Sequence, residues 1–217
     1  MSKLTWDGAG KRTYEVGVSN GVLYPLNPTS GEYTPGVAWN GLTNVTESPT
    51  GAEASPYYAD NIKYLNLISL EEFEASLECY TYPDEFNKCD GSAELAEGVM
   101  IGQQDRQTFG MCYKTILGND TKHESYGYKL HLIYGCLASP SEKSYDSIND
   151  SVEPIAFSYE ITTTPVPVSG HKATANLTID STKVSSTKLT QLENILYGTA
   201  TTDPRLPLPD EVASIFR

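Results

Sequence analysis

Positive charge is what this 217-residue chain has least of: 15 Lys and Arg stand against 28 Asp and Glu, a formal balance of −13. No cluster of basic residues offsets that deficit. A protein that grips nucleic acid needs such a cluster, because it must displace counterions held by about one charge per 1.7 Å of duplex. Electrostatic attachment to DNA or RNA is therefore not an expected function. Histidine is also scarce. His123, His131 and His171 lie far apart, and the acidic Gly118-Asn119-Asp120 turn has too few carboxylates for a calcium loop, so no metal site is expected. Cys79, Cys89, Cys112 and Cys136 are too dispersed for a zinc pattern and read as buried free thiols in a reducing compartment.

Long apolar runs are missing too. Nothing approaches the ~20 residues of a membrane span, and residues 1–18 lack the apolar segment of a secretory signal, so a cytosolic protein without membrane contact is expected. On that footing Asn44, Asn119, Asn149 and Asn176, each opening an Asn-x-Ser/Thr triplet, are chance matches rather than glycan acceptors. No Gly-rich loop ends in Lys-Ser/Thr, which removes the phosphate-loop nucleotide enzymes.

What is present is ordinary core material: 39% hydrophobic and 20% charged residues, enough for one domain over residues 1–217. Periodicity makes it mainly β. "TYEVGVSNGVLYPL" predicts a hairpin turning at Asn20-Gly21, since both residues tolerate positive φ. Residues 25–56 are rich in Pro, Gly, Thr, Ser and Asn, broken by a short strand in "GVAWNGLTNV"; so long a loop suits assembly or binding. In "LEEFEASLECYTYP", Phe73, Ala75, Leu77 and Cys79 alternate with Glu72, Glu74, Ser76 and Glu78. Glu, Ala and Leu favour helix, but the period of 2 predicts a strand with an acidic face. A helical turn is expected at "DEFNKC". Four more strands follow in "QTFGMCYKTIL", "YGYKLHLIYGCLA", "PIAFSYEITTTPV" and "KATANLTIDST". The last should point Ala173, Ala175, Leu177 and Ile179 inward.

One helix stands out, "SSTKLTQLENILYG", with Ser185 or Ser186 as cap, a Leu189, Leu192, Ile195, Leu196 stripe, and Gly198 at its end. Beyond it, Pro204, Pro207 and Pro209 favour an extended arm over 199–217, ending in an apolar Val212, Ile215, Phe216 group. Seven or eight strands with one flanking helix fit a two-sheet β-sandwich or partly closed barrel, α+β in class. No repeat or linker divides the chain.

The same residues include groups able to do catalysis, though not in catalytic patterns. "DRQTFGMCYKTILGND" offers Cys112, with His123 or His131 as the base, but Cys112 falls inside a strand without an electropositive niche. Glu72, Glu74 and Glu78 share one face of one strand like a solvated row, unlike the two separate carboxylates of a glycosidase. No catalytic, cofactor or metal residues are expected. The 15 Tyr leave open a monomeric β-sandwich carbohydrate-binding module, in which aromatic rings stack on sugars.

Taken together, "YEVGVSNGVLYPL", "AWNGLTNVTESPTGAEASPYYADNIKYLNLIS", "FEASLECYTYPDEF", "GQQDRQTFGMCYKTILGND", "STKLTQLENILYG" and "DPRLPLPDEV" give the chain a resemblance along nearly its whole length. It resembles the major tail proteins, or tail tube proteins, of long-tailed, siphovirus-type bacteriophages of Gram-positive hosts. The resemblance implies a β-sandwich or barrel with a flanking helix, a homohexameric ring, and a stack of rings forming the tube through which the genome is ejected. It implies no cofactor and no enzymatic activity. Expected partners are further copies of the chain, the tape measure, tail terminator and distal tail proteins, and double-stranded DNA in transit; the location is the virion tail, assembled in host cytoplasm.

The charge suits such a wall. Six copies at −13 carry −78, and with screening over about 8 Å only lumen-facing groups act on passing DNA. Glu72, Glu74 and Glu78 are the expected lumen residues. Trp39, Tyr57, Tyr58, Leu206, Leu208, Val212, Ile215 and Phe216, on the long loop and the C-terminal arm, are the expected contacts between subunits or rings. A chain ending at Thr202 is expected to remain a soluble monomer that polymerises poorly.

Overall fold

The computed structural model describes residues 3–148, 150 and 153–217. In chain order come β1 (Thr13–Pro25), β2 (Val37–Trp39), β3 (Leu42–Glu47), β4 (Thr50–Gly51), β5 (Ala54–Ala59), β6 (Ile62–Ile68), β7 (Glu71–Glu72) and β8 (Glu74–Cys79). A 3-10 turn at Asp84–Phe86 leads into the one-turn helix α1 (Asn87–Asp90). Then follow β9 (Ala93–Ala96), β10 (Val99–Ile101), β11 (Phe109–Asn119), β12 (His123–Ala138), β13 (Phe157–Thr163) and β14 (Asn176–Asp180), and last the helices α2 (Ser186–Tyr197) and α3 (Pro209–Phe216). Asn149, one of the four Asn-x-Ser/Thr positions, lies outside the described residues.

The main sheet runs β2-β1-β11-β12-β13-β8-β3, with β14 also paired to β12, and its neighbours are antiparallel. β2 and β3 stand at opposite ends of that order, yet only Asn40 and Gly41 separate Trp39 from Leu42. Such a link spans at most about 11 Å. The sheet must therefore curl until its two edges meet, which makes it a barrel rather than a pair of stacked sheets.

Over β1, β11 and β12 both faces of the barrel wall are apolar, because each is covered. Inside lie Leu23, Leu77, Phe86, Phe109, Met111, Ile133 and Tyr159. Outside, Val22, Tyr24, Cys112, Leu130, Leu132 and Tyr134 meet Leu189, Leu192 and Leu196 of α2 and Leu206 and Val212 near α3. Alternation along β11 and β12 thus feeds two cores at once. The Tyr24 hydroxyl donates to the Leu196 carbonyl at 2.7 Å, so the helix layer is tied as well as packed.

Several sequence expectations need correction. Thr13–Pro25 is one strand, paired to β11 from end to end. Asn20 does adopt positive φ (52°), but it serves a register shift between Ser19 and Val22, a bulge rather than a turn. The C-terminal segment is no extended arm: Pro209 opens α3 at a first-turn position that needs no N–H donor. Leu206 is buried, and its N–H donates to the Tyr33 carbonyl at 3.1 Å. Among the described residues the flanking helices are two, α2 and α3, not one.

β12 changes partner midway, pairing β14 through Lys129–Ile133 and β13 through Cys136–Ala138. Gly135, at φ 61°, makes that corner. A Cβ there would stand 2.1 Å from the Thr164 carbonyl oxygen, a backbone atom unable to yield. Gly135→Ala is expected to cost at least about 3 kcal/mol and to lower the melting temperature of the purified protein, measured by calorimetry, by about 6–12 °C.

Candidate assembly surfaces

The residues that hinted at chemistry are held apart. Cys112 pairs with Leu132, and Tyr113 with His131, so Cys112 faces the helices while His131 faces the barrel interior. The sheet itself separates thiol from imidazole. Burial pushes the Cys89 and Cys112 thiols up to about 12 and raises Cys79 and Cys136 as well; all four are free and buried. Among the described residues no group of three or more His, Cys, Asp or Glu is placed to hold a metal ion, and no helix is long and apolar enough to cross a membrane. Asn119 is buried, its side chain accepting from the Thr121 and Lys122 N–H groups, whereas Asn44 and Asn176 are exposed.

The most distinctive surface is a projection. Residues 48–72 are exposed at every position, and none of them belongs to either core. They form an arm. β4 pairs β7 at its root and β5 pairs β6 beyond, with Asp60 (φ 50°) and Asn61 (φ 63°) at the tip. Two successive positive φ values are the signature of the hairpin turn that matches strand twist. The arm is apolar where a free hairpin should be polar: Tyr57, Tyr58, Ile62, Tyr64, Leu67 and Ile68 are each 53–71% exposed. An isolated two-stranded hairpin is marginal in water, and an apolar exposed edge templates pairing with another chain.

A second surface is the outward face of β3, β8 and β13. Phe73, Ala75, Leu77 and Cys79 are buried, and Glu74, Ser76 and Glu78 point away from the core, as the alternation predicts. Glu78 lies between Asn44 and Ser158, and Glu160 opposite Ser76. No Lys or Arg occurs on these three strands. The face therefore carries Glu74, Glu78 and Glu160 among short polar side chains. Glu72 is exposed but sits on β7 at the arm root rather than on the wall.

Of the expected contact residues, Tyr57 and Tyr58 are on the arm and Leu208 is exposed. The others serve the chain's own interior. Trp39 packs on Phe86 at 4.7 Å and donates its indole N–H to the Thr81 carbonyl at 3.0 Å. Leu206 and Val212 are buried beside α2, with Ile215 and Phe216 packed against the same cluster. The reaching segment is thus residues 48–72, overlapping the expected 25–56 loop only in its last part. Its signal was present in the sequence: Asp60-Asn61 flanked by Tyr57, Tyr58, Ile62 and Tyr64 is a turn between β-formers.

At the C-terminal end of α1, a notch of about 160 Å³ is lined by Asp90, Gly91, Arg106, Ser141, Lys143 and Tyr159. Lys143 pairs with Asp90 at 3.1 Å, and Arg106 donates to the Asp90 carbonyl at 3.0 Å. It is a braced polar corner of the fold. No known protein-family model matches the chain, and no curated protein matches it either.

Proposed function

We propose that this chain is the subunit of the tail tube of a long-tailed bacteriophage: six copies form a ring, rings stack, and the bore conducts the double-stranded genome into the host. The observation that carries this reading is the arm, an apolar hairpin raised off a barrel whose own cores are complete without it. Its fitting occupant is a second copy of the chain, because a stack of rings needs, beyond the interface that closes each ring, an axial one that propagates without closing. The acidic face of β3, β8 and β13 supports the same reading. A conduit for a polyanion works best with a wall that offers phosphates no cationic cradle, and Glu74 and Glu78 are proposed to face the bore with Glu160. Such a tube belongs in the virion tail after assembly in host cytoplasm, meeting tape measure, terminator and distal tail proteins within and at its ends.

Raising the concentration of purified protein tests the reading, by sedimentation velocity and negative-stain electron microscopy. Rings or tubes are expected. A chain that stays monomeric while its exposed tyrosines bind glycans would instead be a carbohydrate-binding module. The wall has its own test. Glu74→Lys, Glu78→Lys and Glu160→Lys combined should still give tubes, but tubes that retain DNA, with log K falling against log salt by about 0.9 for each phosphate engaged. The unsubstituted tube should show no such binding.

A further inference from the structure

We propose that Glu47 and His131 form a latch that fixes the angle at which the arm leaves the barrel, making them positioning residues for self-association. The inference rests on the reading that the arm docks on a second copy. Glu47 is the last residue of β3, and Ser48 begins the arm. The joint there is a single two-stranded ladder: Ser48 N–H donates to the Glu74 carbonyl at 2.8 Å, β4 and β7 add the Thr50–Glu72 and Gly51–Glu71 pairs, and the Ala52 N–H donates to the Leu70 carbonyl at 3.3 Å and the Ser69 N–H to the Glu53 carbonyl at 3.1 Å. From Ser48 to the tip at Asp60 the arm runs about 40 Å at ~3.3 Å per residue, so a 10° error at the root displaces the tip by about 7 Å. A second constraint at the root has large leverage.

Glu47 supplies one by reaching across the barrel mouth. Ala75, its partner on β8, points inward, and so does Glu47. Its carboxylate accepts a hydrogen bond from the Tyr113 hydroxyl on β11. One of its oxygens lies 3.4 Å from His131 Nδ1 on β12. The imidazole cannot turn away: it stacks on Tyr113 at 4.7 Å and 3°, and its Nε2 lies 3.0 Å from the Thr115 hydroxyl and 3.4 Å from Glu15 of β1. Lys129, on the same strand, holds Glu15 at 2.5 Å. The titratable groups facing the imidazole among the described residues are thus Glu15, Glu47, Tyr113 and Lys129.

One detail makes the latch responsive. His131 Nδ1 is buried without a hydrogen-bond partner, a state that disfavours the free chain. With the ring proton on Nδ1 as donor, moving the Glu47 carboxylate about half an ångström closer would satisfy it at a normal 2.9 Å. Seating the arm on a neighbour can drive that movement, and the bond then favours the seated angle. The nearby His131 imidazole, with burial opposing and the Tyr113 hydroxyl assisting, already holds the Glu47 carboxyl below its usual value of 4.5. A depressed carboxyl contributes above its unfolded pKa, and the contribution is lost as pH falls through the folded one.

The test uses the full chain, with the critical concentration for assembly read by sedimentation and the melting temperature read on unassembled protein. Glu47→Gln and His131→Gln are each expected to raise the critical concentration about tenfold, and the double variant no further, since both break one link. Glu47→Asp should recover part of the loss. On the acid side of pH 4.5 the native chain's assembly should weaken more than that of Glu47→Gln, which lacks this one titrating group. Lys183→Gln, which removes an exposed ion pair with Asp180 away from the latch, should leave the critical concentration unchanged. The latch is overturned if Glu47→Gln and His131→Gln assemble normally, or if Lys183→Gln impairs assembly equally. Should a chain lacking the arm assemble as well as the intact one, the docking reading itself fails, an outcome distinct from both.

Discussion

Replacing residues 50–71 by an Asn-Gly turn is expected to yield a folded monomer that no longer forms rings or tubes. The fold should survive because residues 46–72 contribute to neither core, while β3 and β8 keep their own ladder from Leu42–Cys79 to Glu47–Ala75. The melting temperature should stay within about 2 °C of the intact chain, as for surface changes of ~0.5 kcal/mol. Assembly should not survive. Burying a Tyr, Leu or Ile side chain contributes roughly 1.5–3 kcal/mol, so three arm residues seated on a neighbour are worth roughly 5 kcal/mol before ordering costs. That is more than a thousandfold in each contact's association constant. Sedimentation velocity on matched samples checks it, and tubes from the excised chain would remove the arm from the interface.

The arm also shows where local pattern reaches its limit. At Glu72 to Cys79 the period of 2 overrides helix propensity, because burial of Phe73, Ala75, Leu77 and Cys79 outweighs a few tenths of a kcal/mol per residue of intrinsic preference. The α2 stripe is legible for the same reason: Leu189, Leu192 and Leu196 repeat at helical spacing and are buried. Turn chemistry is less decisive. Asn20-Gly21 and Asp60-Asn61 both suit positive φ, but β11 offers an unbroken partner on both sides of Asn20, so the first pair bends a strand and the second reverses one. Which outcome occurs depends on a strand some 90 residues away, beyond any local window.

Tertiary partners likewise decide the fate of apolar residues near prolines. Trp39 and Leu206 sit in Pro- and Gly-rich sequence that resembles exposed linker, yet their partners Phe86 and Tyr33 are distant in the chain. The acidic wall could be read because alternation alone assigns a face. The mouth cluster could not, since Glu15, Glu47, Tyr113 and His131 converge only once the barrel closes. Closure follows from the short link at Asn40-Gly41, whose meaning depends on the strand order.

The same dependence sets the expected behaviour of a chain truncated after Thr202: it should fail to fold rather than remain a soluble, assembly-deficient monomer. The lost segment carries the buried Leu206 and Val212, and its Pro207 carbonyl accepts from the Tyr134 hydroxyl at 2.9 Å. Each large apolar side chain removed costs roughly 2–5 kcal/mol, and the abandoned Tyr134 hydroxyl adds about 1–3 kcal/mol. Together these match the ~5–15 kcal/mol that holds a typical domain folded. Circular dichroism and thermal melting of the truncated chain should show no cooperative transition. Single substitutions separate the residues. Leu206→Ala should cost about 3 kcal/mol and lower the melting temperature by about 6–12 °C, since its side chain fills the space over Gly110. Leu208→Ala, two residues on and 46% exposed, should change stability by no more than ~0.5 kcal/mol. Equal destabilisation by both would mean that the segment packs differently, and a stably folded truncation would return it to the role of a free arm.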